Sequence, residues 1–221
     1  MRGFSRLLFG LLVLAGILAV ADLFLTGALE RRAATRVTQE LGAPSSVDLR
    51  GWPVSARLLF SSVPTAVVTA TEVPIPGQSA RLTRLDLTVD DVRINRDELF
   101  NPDVMPFDAT TGRFSAGLNG PALLELSGRP TGLVGIEVVE QGVRLVAVGG
   151  FSAVVQPSAR DGDLFLRADV PVLGALEVVV PVPVLPGGTR IESVRVEGGL
   201  VLLEGFVPDV SQVLERSGEL S

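Results

Sequence analysis

The chain has 221 residues, a formal net charge of −6 and no histidine, cysteine, tyrosine or lysine. Without histidine or cysteine it lacks the usual ligands of zinc, copper and haem, so no metal or other cofactor is expected. The same absence excludes Ser-His-Asp and Cys-His catalytic sites. The acidic balance argues against a nucleic-acid partner, which needs a basic surface.

The N-terminal residues form a membrane-targeting segment. Arginines at positions 2 and 6 precede an apolar run from Leu7 to Ala21. With the small residues Ala19-Val20-Ala21, this is typical of a signal peptide cleaved before Asp22. A retained anchor over residues 7–25 is the alternative, although it includes a charged aspartate. Both interpretations place the remaining chain in the extracytoplasmic cell envelope: secreted or periplasmic if the segment is cleaved, anchored to the cell membrane if it is not.

Residues 22–41 predict a long amphipathic helix. An apolar side chain recurs at every fourth position, at Leu25, Leu29, Ala33, Val37 and Leu41. Gly42 followed by Pro44 is a stop signal for this helix. The apolar stripe has to be covered, most simply by a β-sheet.

From residue 47 onward the pattern favours β-strands. Strands are predicted within 65–73, 85–94 and 113–118, and the alternation slips at Asp90-Asp91, which indicates a β-bulge. Residues 121–126 are too few to assign. Glycine-containing turns predict three hairpins, which join 133–139 to 143–148, 151–156 to 164–170, and 191–197 to 200–206. Two prolines restrict residues 178–184 to an edge strand or an extended crossover.

These elements predict an α+β fold, in which the long N-terminal helix packs on a large, strongly twisted antiparallel sheet. About 200 residues follow the targeting segment, enough for one domain with a sizeable core. The predicted organisation is a signal peptide or anchor over 1–21, a single domain over 22–208 and a polar C-terminal tail over 209–221.

Carboxylates are the remaining candidates for catalysis. Asp90-Asp91, Asp97-Glu98 and Asp161-Gly162-Asp163 are local acidic pairs that suit glycoside hydrolysis or calcium binding. Structural explanations are simpler, because these pairs occupy the predicted bulge, a helix cap and a turn. The chain is therefore expected not to be an enzyme, with a carboxylate-dependent hydrolase as the less favoured alternative.

Large apolar residues outside the regular alternation suggest a binding groove. On the strand after Asp163, Phe165 falls on the opposite face from Leu164, Leu166 and Ala168, so both faces carry large apolar side chains. Core filling explains any one such residue, but in a membrane-targeted chain the set predicts an apolar groove. The candidates are Trp52, Leu58, Leu59, Phe60, Phe100, Met105, Phe107 and Phe165.

Three segments of the chain resemble the LmeA-like phospholipid-binding proteins of actinobacterial envelopes. They are residues 21–42, residues 47–59 with Gly51-Trp52-Pro53, and residues 184–198, which open with Val184-Leu185-Pro186-Gly187-Gly188. Val54 stands where a second aromatic residue is common in that family. The resemblance implies a tubular lipid-binding-like domain that holds phospholipid acyl chains in its groove and contributes to envelope lipid or lipoglycan maturation. It transfers no catalytic residue.

The phospholipid phosphate would then contact an arginine at the mouth of the groove, for which the candidates are Arg50, Arg57 and Arg113. The expected partners are phospholipid and the membrane. The alternative is a membrane-associated envelope scaffold or interaction protein without a lipid ligand, whose apolar surface would be a protein interface.

Overall fold

A computed structural model describes residues 26–50, 62–75, 77–94, 107–108, 111–160, 162–170, 174–182, 189–208 and 210. Residues 26–41 are helical and are called α1; a second helix, α2, spans Gly120–Leu126. The strands are β1 (Ser45–Arg50), β2 (Ser62–Pro74), β3 (Arg81–Ile94), β4 (Phe107–Asp108), β5 (Thr111–Leu118), β6 (Leu133–Val139), β7 (Gly142–Ala147), β8 (Ser152–Val155), β9 (Pro157–Arg160), β10 (Asp163–Val170), β11 (Gly174–Val180), β12 (Arg190–Glu197) and β13 (Leu200–Val207).

The strands form three antiparallel sheets rather than the single large sheet that the sequence predicted. The main sheet has the order β1-β2-β3-β5-β13-β12, with β4 paired to β3. The second sheet is β6-β7-β8 and the third is β11-β10-β9. One continuous hydrophobic cluster joins them, with Leu145 of the second sheet, Leu166 of the third and Val201 of the main sheet all buried in it. The prediction of a sheet-rich, antiparallel fold is therefore confirmed, and the division into three sheets is new.

Helix α1 lies along β1, at the edge of the main sheet. Its stripe residues Leu29, Ala33 and Val37 are buried. The Glu30 carboxylate accepts a hydrogen bond from the Leu49 amide at 3.0 Å, and the Thr38 hydroxyl accepts one from the Ser45 amide at 3.1 Å. These two hydrogen bonds are eight residues apart on α1 and four residues apart on β1, and both separations correspond to about 12–13 Å. Because the earlier helix residue bonds to the later strand residue, α1 runs antiparallel to β1. It thereby covers amides along the edge of the sheet. The predicted first turn, residues 22–25, lies outside the described residues.

Two of the three predicted hairpins are confirmed and one is wrong. Strand β6 pairs with β7, and β12 pairs with β13. However, β8 pairs with β7, whereas β10 pairs with β9 on one side and β11 on the other. The chain changes sheets at Gln156, between β8 and β9. Pro157 lacks an amide hydrogen and is tolerated as the first residue of the new strand. Strand β11 is an edge strand, as its downstream prolines predicted.

The predicted β-bulge at Asp90-Asp91 is absent, although the change of phase is real. Val89 and Val92 are buried, whereas Asp90 and Asp91 are exposed. Pairing with β2 keeps one register on both sides of this point, so β3 has no extra residue there. Asp91 instead adopts a left-handed conformation with φ of 53°. A single left-handed residue reorients the following side chains without lengthening the strand, and aspartate tolerates this conformation better than most residues.

Helix α2 occupies residues that the sequence left unassigned. Its N-cap is Asn119, whose side-chain oxygen accepts a hydrogen bond from the Ala122 amide at 2.9 Å. Pro121 lies in its first turn, where a missing amide hydrogen costs nothing. Leu123 and Leu126 are buried in the common core. The helix therefore connects β5 of the main sheet to the second sheet, which begins seven residues later, and its leucines pack in the core that the sheets share.

Candidate functional site

One face of the main sheet is apolar across all six strands of its main path. Cross-strand pairing places Val47, Val68, Leu87, Phe114, Gly205 and Ile191 side by side in one row. The rows on either side of it are equally apolar. One contains Leu49, Ala66, Val89, Gly112 and Val207, and the other contains Ala70, Leu85, Ala116, Leu203 and Val194. This surface is called the inner face below.

Part of the inner face is incompletely covered. Phe114, Ala66 and Leu203 are buried, as core residues should be. In contrast, Val47, Val68, Leu85, Leu87, Ile191 and Val194 are only partly buried. Among the described residues of these rows none is charged, so the face presents continuous hydrocarbon to whatever lies against it. A contiguous apolar surface that is only partly covered is a place where an apolar ligand can bind.

Gly205 makes space in the middle of this face. It lies between Phe114 on β5 and Ile191 on β12. A Cβ at this position would lie 2.7 Å from Cε1 of the Phe114 ring and would also collide with the Arg190 carbonyl oxygen. The glycine therefore lets the phenylalanine ring lie across the adjacent strand. The sequence shows only a glycine within an alternating strand, which is also typical of a bulge, so its role depends on the cross-strand register.

The opposite, outer face of the main sheet is mostly polar, although Val67, Leu202 and Phe206 also lie on it. Asp86 accepts a hydrogen bond from the Thr69 hydroxyl at 2.9 Å and forms an ion pair with Arg84 at 2.6 Å. Arg195 forms ion pairs with Glu197 and Glu204, each at 2.9 Å. The two faces thus differ sharply in chemistry. Water is the natural neighbour of the outer face and hydrocarbon that of the inner face.

The described phosphate-contact candidates lie on the outer face. Arg50 ends β1 and forms an ion pair with Asp48 at 3.2 Å. Arg113 is exposed in the middle of β5, opposite Thr88 and Phe206. Arg57 lies outside the described residues. Arg50 directly follows the inner-face residue Leu49, so of the two described arginines it is the one at a strand end.

The predicted groove residues are mostly beyond what the structure describes. Trp52, Leu58, Leu59, Phe60, Phe100 and Met105 lie outside the described residues. For Phe107 the backbone is described: it belongs to β4 and pairs with Ile94 of β3.

Phe165 is partly buried on the outer face of the third sheet, with the Arg160 guanidinium 5.8 Å from its ring centroid. Its strand neighbours Leu164 and Leu166 are buried on the other face, as the alternation predicted. The structure therefore does not bring Phe165 to the inner face of the main sheet.

The inner-face residues are the ones that the sequence did not single out. Leu85, Leu87 and Val89 alternate visibly with polar residues, which marks one side of β3 as apolar. That pattern does not reveal which strands lie beside β3, nor that Leu87 remains partly exposed.

The carboxylates do not assemble into a catalytic or metal-binding group in the described part of the chain. Asp90 accepts a hydrogen bond from the Thr65 hydroxyl at 3.1 Å, and Asp163 accepts one from the Val182 amide at 3.4 Å. Within the described ranges, no three acidic side chains are grouped so that they could hold a metal ion. Asp97, Glu98 and Asp161 lie outside those ranges. Among the described helices, none is long and apolar enough to cross a membrane.

Comparison with known proteins gives one match. The model of the LmeA-like phospholipid-binding family matches residues 20–206, which is most of the chain and covers the main sheet except for Val207, the last residue of β13. Neither the curated proteins nor the solved structures provide a match.

Proposed function

Since this chain belongs to the LmeA-like phospholipid-binding family, we propose that it binds phospholipid by placing acyl chains against the inner face of the main sheet. The observation that carries this proposal is the uncharged apolar face that runs across six strands and is only partly covered on β1, β2, β3 and β12. The family assignment supports phospholipid as the class of ligand, and the apolar inner face supports this position for its acyl chains.

The dimensions of the inner face suit an acyl chain. Five inter-strand spacings of about 4.8 Å give the row from Val47 to Ile191 a length of about 24 Å. One leaflet of a bilayer contributes about 15 Å, half of its roughly 30 Å hydrocarbon core. Each CH₂ that leaves water contributes about 0.8 kcal/mol. A chain that covers the partly buried side chains of this face, such as Val47, Val68 and Leu87, therefore gains apolar burial that opposes its ordering cost.

The headgroup remains at the margin of the inner face, because this face offers a phosphate neither charge nor hydrogen-bond donors. Arg50, Arg57 and Arg113 are the proposed phosphate contacts. Arg50 suits this role best among the two that are described, because it ends β1 beside inner-face Leu49. To contact a phosphate it would exchange its exposed ion pair with Asp48, which costs little.

The proposed biological setting is the extracytoplasmic envelope. The apolar run at 7–21 delivers the chain, residues 22–208 form the lipid-binding domain and residues 209–221 form a polar tail. In this setting a phospholipid-binding, non-enzymatic protein supplies or holds lipid during maturation of envelope lipids or lipoglycans. Membership of a lipid-binding family supports the non-enzymatic role.

The proposal is tested by lipid uptake. Delipidated protein is mixed with fluorescent phospholipid in detergent micelles, and bound lipid is measured after gel filtration. We expect saturable binding with a fixed stoichiometry. No uptake, together with lipid-free oligomers in native mass spectrometry, would instead support the envelope scaffold.

A further inference from the structure

Large apolar side chains are exposed at the turn between β7 and β8, far from the inner face along the chain. Val148 is 62% exposed and Phe151 46%, and Val134 on the neighbouring β6 is 57% exposed. Val154 continues this surface along β8 at 47%. We call Val134, Val148, Gly149, Gly150 and Phe151 the apolar tip.

The backbone of the tip is held by hydrogen bonds that do not involve these side chains. The Ala147 amide donates to the Phe151 carbonyl at 2.8 Å, and the Gly150 amide donates to the Ala147 carbonyl at 3.2 Å. The Val148 amide donates to the Gly132 carbonyl at 2.8 Å, which joins the tip to the turn before β6. Gly149 and Gly150 have φ of 88° and 80°, conformations that glycine adopts without strain. The exposed valines and phenylalanine therefore contribute little to forming the turn.

The tip is also free of charge over a long stretch of sequence. Residues 145–155 contain no acidic or basic residue, and neither do residues 130–136. The ion pair on the outer side of this sheet, between Arg144 and Glu137, lies four residues from Val148, or about 13 Å along the strand. Arg129 is exposed just before the turn that contacts the tip. The second sheet is thus apolar at the end that carries the tip and charged toward the opposite end, where Arg144 and Glu137 pair. The basic side chain of Arg129 lies beside the apolar end in sequence.

This arrangement matches a phospholipid bilayer better than a protein surface. A specific protein interface needs about 800 Å² from each partner, whereas three or four partly exposed side chains supply a few hundred Å². Apolar side chains at a bilayer interface enter the acyl boundary, while basic side chains remain with the phosphates. The apolar tip supplies the apolar side chains, and Arg129 supplies the basic side chain.

We propose that the apolar tip inserts into the interfacial region of a phospholipid bilayer, with Arg129 against lipid phosphates, and so docks the domain for lipid exchange. The identity of this partner rests on the proposed function, because a phospholipid-binding protein has to exchange its ligand with a bilayer. The tip is distinct from the inner face, so docking and ligand binding are separable by mutation.

A cysteine scan tests insertion directly, since the chain has no native cysteine. The full chain carrying Val148→Cys is labelled with an environment-sensitive fluorophore and mixed with vesicles of phosphatidylcholine and phosphatidylglycerol. The matched control is Glu140→Cys, exposed in the turn at the charged end of the same sheet. Both variants share any contribution of the N-terminal segment. We expect a blue shift and quenching by spin-labelled lipid at position 148 and neither at position 140.

A second measurement separates docking from ligand binding. Phe151→Ser should slow lipid pick-up from vesicles by about ten-fold or more, since a large apolar anchor is lost. Its uptake from detergent micelles should equal that of the unaltered protein. If the label at position 148 stays in water while uptake from micelles persists, the proposed insertion of the apolar tip is wrong and the proposed lipid binding still holds. If the label inserts but the protein takes up no lipid from micelles, the insertion of the tip is supported and the proposed lipid binding is wrong. A blue shift that depends on protein concentration and needs no vesicles would identify a protein interface and also overturn the proposal.

Discussion

Val67 and Val68 provide an internal comparison between the two faces of the main sheet. They are consecutive, identical in type and both partly buried. Val68 pairs with Val47 and Leu87 on the inner face, whereas Val67 pairs with Asp48 and Thr88 on the outer face. Replacing each by threonine exchanges one methyl group for a hydroxyl group at nearly constant volume. The two variants therefore differ in which face receives the hydroxyl.

We expect Val68→Thr to weaken lipid binding and Val67→Thr to leave it unchanged. In the lipid-free protein the Val68 site is partly hydrated, so a hydroxyl there has little effect on folding. Under an acyl chain it loses water without gaining a partner, which costs about 1–3 kcal/mol. At about 1.4 kcal/mol for each factor of ten, affinity falls roughly 5- to 150-fold.

The assay is titration of delipidated protein with fluorescent phospholipid, with thermal unfolding as the control for stability. Equal affinities for the two variants would refute the assignment of acyl chains to the inner face. A loss of binding at Val67→Thr alone would place the lipid on the outer face.

Three further outcomes test the fold and the location. Gly205→Ala should lower the free energy of unfolding by about 1–3 kcal/mol through overpacking, whereas Gly135→Ala, with ordinary contact at 3.7 Å, should cost less in the same denaturant titration. Glu30→Ala should accelerate hydrogen exchange of the Leu49 amide and cost about 1–3 kcal/mol if that amide stays unpaired; unchanged exchange would show that α1 does not hold β1. N-terminal sequencing of the mature chain should begin at Asp22 if the signal is cleaved and at residue 1 if the anchor is retained.

Local patterns in the sequence were sufficient for most elements of the fold. Period-two alternation located the strands, and Gly198-Gly199 marked the hairpin of β12 and β13 correctly. The wrong predictions, one hairpin and one β-bulge, arose where a single residue altered the strand pairing or the backbone conformation. Pro157 begins a new strand in a different sheet, and Asp91 changes the phase through its backbone conformation. Neither effect follows from counting apolar residues.

The candidate site was less accessible from sequence because it depends on pairing between distant strands. Val47 and Ile191 occupy opposite ends of one row only because four strands lie between β1 and β12 in a fixed register. A shift of one residue in any strand would reverse its faces, and alternation alone does not fix the register. Phe165 illustrates the limit, since its unusual position in the pattern reflects a contact with Arg160 on an outer face.

Photo-crosslinking tests the central claim most directly. A phospholipid with a diazirine near the end of one acyl chain is bound to the purified protein and activated by light, and the adducts are located by tandem mass spectrometry. Adducts at inner-face residues such as Val68 and Leu87, without adducts at Val67 and Thr88, are the predicted result. Bound lipid whose adducts fall on the outer face would contradict the account.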